Sequence, residues 1–206
     1  MPRLKICGVT SAATAAEVAA SGADVIGFVF ADGSPRRVTP GTARAIVAAT
    51  PGPRYAGVFR AASTAEILRT ARSVPLDIVQ LHGGEEPGAV RAAKAAGFET
   101  WRLDDGGGPA GEDATIVDGR DGSNTGGTGK LADWRRAESL KKEGRRVVLA
   151  GGISAANIAA AVATGADVID VNSSLETAPG VKSPALIRKT AAAFFEACEK
   201  QGKRKC

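Results

Sequence analysis

The chain has 206 residues, 44% hydrophobic and only 4% aromatic, with a formal net charge of +5. That length suits one domain over residues 1–206, near the lower limit for an eightfold α/β barrel, and it can bury a sizeable core that this composition makes aliphatic. No apolar run approaches the ~20 residues that span a bilayer, the N-terminal residues show no signal-peptide pattern, and the cysteines (Cys7, Cys198, Cys206) and single His82 are too few and scattered for a disulfide framework or a zinc site.

The first apolar, β-branched run covers 4–7 and ends in Cys7-Gly8; a helix-like stretch near 11–21 follows and stops at Gly22. The second run, 25–30, leads into Ser34-Pro35-Arg36-Arg37 and a helix near 40–50. Runs at 55–59 and 78–81 flank a helix near 63–73, and the fourth run ends in Gln80-Leu81-His82-Gly83. A helix near 86–96 stops at Gly97 before the fifth run, 99–103. Between Leu103 and Thr115 stand three consecutive glycines and Pro109, which cannot hold a regular helix, so the fifth helix is expected to be short or missing. The sixth run, 115–118, ends in Asp118; after it come Gly126-Gly127-Thr128-Gly129-Lys130 and a helix near 132–143 that stops at Gly144. The seventh run, 147–150, leads into Gly151-Gly152-Ile153-Ser154, with Ser154 the expected N-cap of a helix over 154–164. The eighth run, 168–171, contains Asp170 and leads into Asn172-Ser173-Ser174; the last helix covers 184–199.

Strands alternating with helices call for parallel pairing with helical crossovers, and eight near-regular units favour a closed (β/α)8 TIM barrel over an open sheet. Gly22, Gly97, Gly144 and Gly165 stand where a helix ends in the left-handed conformation. The junctions Gly22-Ala23-Asp24-Val25-Ile26 and Gly165-Ala166-Asp167-Val168-Ile169 echo each other locally.

In such a barrel the reactive groups collect at the C-terminal ends of the strands. A buried cysteine in isolation reads as a small hydrophobe; Cys7, ending the first strand before Gly8, reads as a catalytic group. Gly151 and Gly152 after strand seven, with Asn172, Ser173 and Ser174 after strand eight, occupy the usual phosphate position of this fold. The glycines at 126–129 lack the outer spacing of a nucleotide-binding P-loop, and Leu131 follows Lys130, which excludes a nucleoside triphosphatase. The basic tail, with Lys200, Lys203, Arg204 and Lys205, reads as a solvated helix end rather than a nucleic-acid contact.

Several motifs together resemble phosphoribosylanthranilate isomerase. They are Lys5-Ile6-Cys7-Gly8-Val9-Thr10, Gly27-Phe28-Val29-Phe30 with Ser34-Pro35-Arg36, and Val79-Gln80-Leu81-His82-Gly83. Residues 126–130 with Asp133-Trp134, Leu149-Ala150-Gly151-Gly152 with Asn157, and Asp170-Val171-Asn172-Ser173-Ser174-Leu175-Glu176 with Pro179-Gly180-Val181-Lys182 complete the set, in the family's order along almost the whole chain.

The resemblance implies a cofactor-free, metal-free Amadori rearrangement in tryptophan biosynthesis, converting N-(5-phosphoribosyl)anthranilate into 1-(2-carboxyphenylamino)-1-deoxyribulose 5-phosphate. The partner is then a small phosphosugar, with no nucleic acid or membrane; the enzyme is expected to be cytoplasmic, as a monomer or homodimer. By motif position Cys7 is the general base and Asp118 the general acid, Arg36 meets the anthranilate carboxylate, and Gln80 and Asp170 bind the sugar hydroxyls. Asp118 is preferred to Asp121 because it directly ends the apolar run. His82 is given a structural rather than a catalytic part. Cys7 needs surroundings that favour its thiolate, for which Lys5, two residues back on the same strand face, is the candidate, while Asp118 needs burial or a neighbouring negative charge. The chain departs from the family pattern in three places. Asn172-Ser173-Ser174-Leu175 replaces Ser-Ser-Gly-Val, Ser183 replaces an aspartate, and Ala132 replaces a phenylalanine.

Overall fold

The computed structural model describes residues 1–119 and 133–202. Residues 126–130, Asp121, Ala132, the tail cations Lys203, Arg204 and Lys205, and Cys206 lie outside the described residues.

Eight parallel strands form a closed barrel in sequence order: β1 (Arg3–Cys7), β2 (Val25–Val29), β3 (Arg54–Phe59), β4 (Ile78–Leu81), β5 (Glu99–Leu103), β6 (Ala114–Val117), β7 (Val147–Leu149) and β8 (Val168–Val171). The seam closes by β1 pairing with β8, where Lys5 stands opposite Asp170. Helices α1 (Ala12–Ala20), α2 (Pro40–Ala49), α3 (Thr64–Ser73), α4 (Ala89–Ala95), α5 (Trp134–Lys142), α6 (Ile158–Ala163) and α7 (Pro184–Lys200) lie between or after the strands. The expected (β/α)8 architecture is what the chain adopts, and no regular helix lies between β5 and β6.

Side chains alternate between two apolar layers, as the period of two along a strand requires. Leu4, Ile6, Val79, Leu81, Ile169 and Val171 pack outward against the helices. Val25, Ala56, Ile78, Trp101, Ile116, Val148 and Val168 fill the interior. Trp101 is fully buried there and its indole Nε1 donates to Glu99 Oε1 at 2.7 Å. It is the one aromatic ring in this otherwise aliphatic cluster. Trp101→Ala is expected to lower unfolding free energy by ~3–5 kcal/mol, read from denaturant melts, because the surrounding side chains refill a vacated core volume only in part.

Local signals set most helix boundaries. Ser11, Thr39 and Ser63 cap α1, α2 and α3, the last through a capping box with Glu66. Ser183, in the family's aspartate position, caps α7 by accepting from Leu186 N at 3.4 Å; serine and aspartate do this equally well. Two helices begin later than expected. α4 starts at Ala89 rather than near 86, because Pro87 is followed by Gly88 in the left-handed conformation at φ +93°. α6 starts at Ile158 with Asn157, not Ser154, at its N-cap.

Where the helix after β5 is missing, charge pairs cover the wall. Thr100 N and Oγ1 donate to Asp113 Oδ2 at 2.8 and 3.0 Å. Arg102 pairs with Asp105, Arg145 with Glu112, and Arg136 with Asp104 at 2.6 Å. Beyond β8 the chain adds a 3₁₀ turn (Ser173–Leu175) and an antiparallel hairpin, β9 (Glu176–Ala178) and β10 (Val181–Lys182). Neither of these appears among the sequence-derived elements.

Candidate active site

A cavity of about 430 Å³ opens at the C-terminal ends of the strands. Cys7, Arg36, Gln80, His82, Asp118, Gly151, Gly152, Asp170, Asn172 and Ser173 all line it, so nine of the ten expected site residues, plus His82, meet in one place. Ser174 does not line it. Its hydroxyl instead donates to Ile153 O at 2.5 Å and ties the loop after β8 to the loop after β7.

Strand alternation explains why these side chains converge. Cys7, Gln80 and Asp170 each lie two residues after an inward-facing position on β1, β4 and β8, and Asp118 stands two residues beyond the inward-facing Ile116 of β6. Gly27 on β2 makes room for the thiol: a Cβ there would meet Cys7 Sγ at 2.8 Å.

Below Cys7, Lys5 is fully buried and its ammonium donates to Asp170 Oδ2 at 2.5 Å. Burial works against that charge, yet Asp170 foremost and Cys7 beside it hold the Lys5 pKa above its ordinary value. For Cys7 the balance runs the other way. Burial pushes the thiol pKa up; the charge of Lys5 opposes this, Asp170 adds to it, and Lys182 opposes it again. Lys5 therefore favours the thiolate as expected, but the unliganded site still holds a thiol, because burial and Asp170 outweigh the two lysines.

The sign of that shift fixes how Cys7 reacts. A pKa raised above the ordinary thiol value leaves the neutral form dominant at pH 7, and the reactive thiolate grows about tenfold per pH unit below the pKa. Iodoacetamide labelling of Cys7, located by peptide mass spectrometry, should be slow at pH 7 and climb steadily to pH 9. A rate already level between pH 6 and 8 would contradict this. Cys198 is fully buried on α7 and should stay unlabelled in the folded protein.

Asp118 has a side chain only 7% exposed, with His82 Nε2 at 3.2 Å from its Oδ2. It also has a negative neighbour in Asp170, whose own titration it influences. His82 is in turn fixed from two sides. Gln80 Nε2 lies 3.5 Å from His82 Nδ1, and Glu85 accepts from the backbone N–H groups of His82 and Gly83 at 2.8 and 2.9 Å. Two buried oxygens at the site, Gln80 Oε1 and Asp170 Oδ1, have no hydrogen-bond partner among the described residues. Orphaned buried acceptors of this kind fit a ligand rich in hydroxyl donors.

The loops after β7 and β8 build the remaining wall. Gly151 has φ +84° and Gly152 φ +64°. Asn157 Oδ1 accepts from Ser154 N at 2.8 Å and Asn157 Nδ2 donates to Gly152 O at 2.9 Å, so the asparagine side chain braces the turn from inside. Among the described residues the only non-glycine with positive φ is Ala61, so Ser174 needs no glycine freedom and the 3₁₀ turn keeps its backbone donors.

Arg36 is held bidentately by Glu176, a partner that sequence reasoning missed. Arg37 turns away and pairs with the exposed Asp32 at 3.0 Å. Among the described residues no group of three or more His, Cys, Asp or Glu side chains could hold a metal ion, and no helix is long and apolar enough to cross a membrane.

Comparison with known proteins gives a consistent result. The family model for N-(5'-phosphoribosyl)anthranilate isomerase matches residues 4–193. The chain is 38% identical over 200 residues to the isomerase of that name from Rubrobacter xylanophilus, covering 92% of this chain and 97% of that one. The crystal structure of phosphoribosyl anthranilate isomerase from Thermus thermophilus superposes with a TM-score of 0.84 at 36% identity, covering 93% and 97% of the two chains. A crystal structure of another phosphoribosyl anthranilate isomerase, in complex with reduced 1-(o-carboxyphenylamino)-1-deoxyribulose 5-phosphate, superposes with a TM-score of 0.77 at 27% identity, covering 94% and 98%.

Proposed function

The chain belongs to the N-(5'-phosphoribosyl)anthranilate isomerase family, and from that premise we propose that Cys7 and Asp118 are the base and acid of its reaction. The protein is an isomerase of tryptophan biosynthesis acting on a small phosphosugar.

Asp118 protonates the furanose ring oxygen of the substrate, and the ring opens to a cationic Schiff base. That cation acidifies the C2 proton and places a positive charge beside the thiol, adding to Lys5 and Lys182 against the burial that keeps Cys7 neutral in the free site. As that cation forms the Cys7 thiol releases its proton to solvent, and the thiolate takes the C2 proton. The enolamine becomes the ketone as C1 gains a proton from the Cys7 thiol and the C2 hydroxyl gives its proton to the Asp118 carboxylate, which restores the acid. Hydrogen-bond reach to one bound sugar is the geometric requirement for both groups. His82 positions the Asp118 carboxyl through the 3.2 Å contact.

Gln80 Oε1 and Asp170 Oδ1 accept from the sugar hydroxyls, which supplies the donors these buried oxygens lack. The free end of Arg36 pairs with the anthranilate carboxylate. The phosphate lies against backbone donors of Gly151, Gly152, Asn172, Ser173 and Ser174. With α6 only six residues long and starting at Ile158, these donors belong to the loops and the 3₁₀ turn rather than to the α6 terminus.

The observation that carries this reading is the convergence of Cys7 and Asp118 on a single cavity that also contains the orphaned sugar-facing oxygens. The test is to generate phosphoribosylanthranilate in situ and follow the loss of its fluorescence with purified protein and EDTA. Turnover that persists in EDTA and is lost in the Cys7→Ser and Asp118→Asn variants is expected. Turnover indifferent to both substitutions overturns the assignment.

A further inference from the structure

Glu176 and Lys182 stand on the two strands of the β9–β10 hairpin, outside the eight-stranded barrel, and neither lines the cavity. Both are nevertheless deeply buried charges, with side chains 4% and 1% exposed. Removing one member of such a pair leaves an uncompensated charge, so a chain retains it at some cost.

Their contacts form one connected unit. Arg36 Nε donates to Glu176 Oε1 and Arg36 Nη2 to Glu176 Oε2, both at 2.8 Å. Lys182 Nζ donates to that same Oε1 at 2.6 Å, to Asn172 Oδ1 at 2.8 Å and to Asn172 O at 3.1 Å. An ammonium group has three donors, and each has an acceptor here. The guanidinium has one flank, Nε with Nη2, engaged by the carboxylate, which leaves the Nη1 end for another planar anion. Backbone confines the arginine as well. A Cβ on Gly8 would meet Arg36 Cδ at 2.7 Å, and one on Gly180 would meet Pro35 O at 2.5 Å.

We propose that the Glu176–Lys182 pair is the specificity device of this site. It locks the Arg36 guanidinium in one orientation, so that only its free end can receive the aromatic carboxylate of the substrate. Lys182 also holds Asn172 at the phosphate end, through two bonds that do not involve Glu176. Substrates are thus selected for a carboxylate at a fixed distance from the phosphate, by charges that do not themselves touch the substrate. The proposal rests on Arg36 being the carboxylate-binding group.

The experiment measures inhibition constants for two ligands, reduced 1-(o-carboxyphenylamino)-1-deoxyribulose 5-phosphate and the same compound without its ring carboxylate. It uses the unaltered protein and the Arg36→Met and Glu176→Gln variants, alone and combined. Glu176→Gln is expected to weaken the carboxylated ligand about tenfold, the size of a charge-assisted hydrogen bond, and to leave the other ligand unchanged. KM should rise in parallel with the inhibition constant of the carboxylated ligand, while kcat stays within about threefold. In the Arg36→Met background, Glu176→Gln should add nothing. Equal weakening of both ligands, or of neither, overturns the proposal. If Arg36→Met itself leaves the preference for the carboxylate intact, the reading of Arg36 falls and the proposal with it. If Arg36→Met abolishes the preference and Glu176→Gln leaves it unchanged, only the proposal falls. Should the glutamine variant fail to fold, Glu176→Asp, which keeps the charge but withdraws it by one methylene, decides by the same ratio.

Discussion

With Cys7 as the proposed base, Cys7→Ser is expected to lower kcat by ~10³-fold while leaving the barrel folded and KM within a few-fold of the original, because a positioned general base contributes about 10²–10⁴-fold. A serine hydroxyl fits the space that Gly27 leaves for the sulfur and makes no new contact with Lys5 or Asp170 large enough to unfold the site. It ionises far above any pH at which the protein is folded, so neither Lys5 nor Lys182 can bring it into use as a base. Arg36, Gln80 and Asp170 are untouched, which is why binding should persist. Single-turnover decay of substrate fluorescence gives the rate, and a thermal melt shows whether the fold is intact. A loss below about tenfold would mean that the C2 proton goes elsewhere.

Gly151→Ala is the second large effect, and it acts on both stability and rate. Gly151 has φ +84°, and an added Cβ would stand 2.2 Å from Gly119 N, 2.8 Å from Gly119 Cα and 2.7 Å from Asp118 Oδ1. Two of those three atoms are backbone and cannot rotate aside, so the segment after β6 must shift and carry Asp118 with it. A displacement of about 1 Å at a catalytic group costs on the order of 10²-fold in rate. The left-handed conformation adds roughly 1–2 kcal/mol of strain for a residue with a Cβ. Gly165→Ala is the control: its φ is +80°, but nothing lies within 4 Å of the added carbon. It should show the strain in a melt and leave kcat unaltered. If the two variants lose rate equally, the contact between Gly151 and the Asp118 segment is not what matters.

Most strands were legible because they are buried on both faces and read as largely apolar runs; β5, with Glu99 and Arg102 partly exposed, is the exception. Cys7, Gln80, Asp118 and Asp170 were legible for a related reason: a polar residue ending such a run in an inward position has only the barrel mouth to occupy. The helix starts were less so. Pro87-Gly88 carried the signal that α4 begins at Ala89, but the Ala-rich stretch around it masked the break. At α6 the Asn157 side chain is spent inside the loop, bonding to Ser154 N and Gly152 O, and spacing alone cannot reveal that.

The β9–β10 hairpin was hidden more deeply. Strands of three and two residues carry no period, and charged residues such as Glu176 and Lys182 ordinarily read as solvated. Only the Pro179-Gly180 turn between them hinted that they fold back on each other. Spacing along β1 puts Lys5 on the face of Cys7, but it carries no sign that Asp170, arriving from the far end of the chain, takes up its ammonium.

That last contact has a consequence for how the protein acquires its activity. Lys5 and Asp170 are 165 residues apart in sequence and meet only in the register that joins the first strand to the last. Until the eighth strand docks, Lys5 has no counter-ion, the floor beneath Cys7 is open to water, and Arg36 lacks the hairpin that follows that strand. Contacts of such long range form late, since the entropy of closing the intervening chain must be met first. A nascent chain can therefore have most of its helices and seven strands in place and still be inert. In this chain the site is complete only in the closed ring, so activity belongs to the barrel as a whole and to no shorter segment of it.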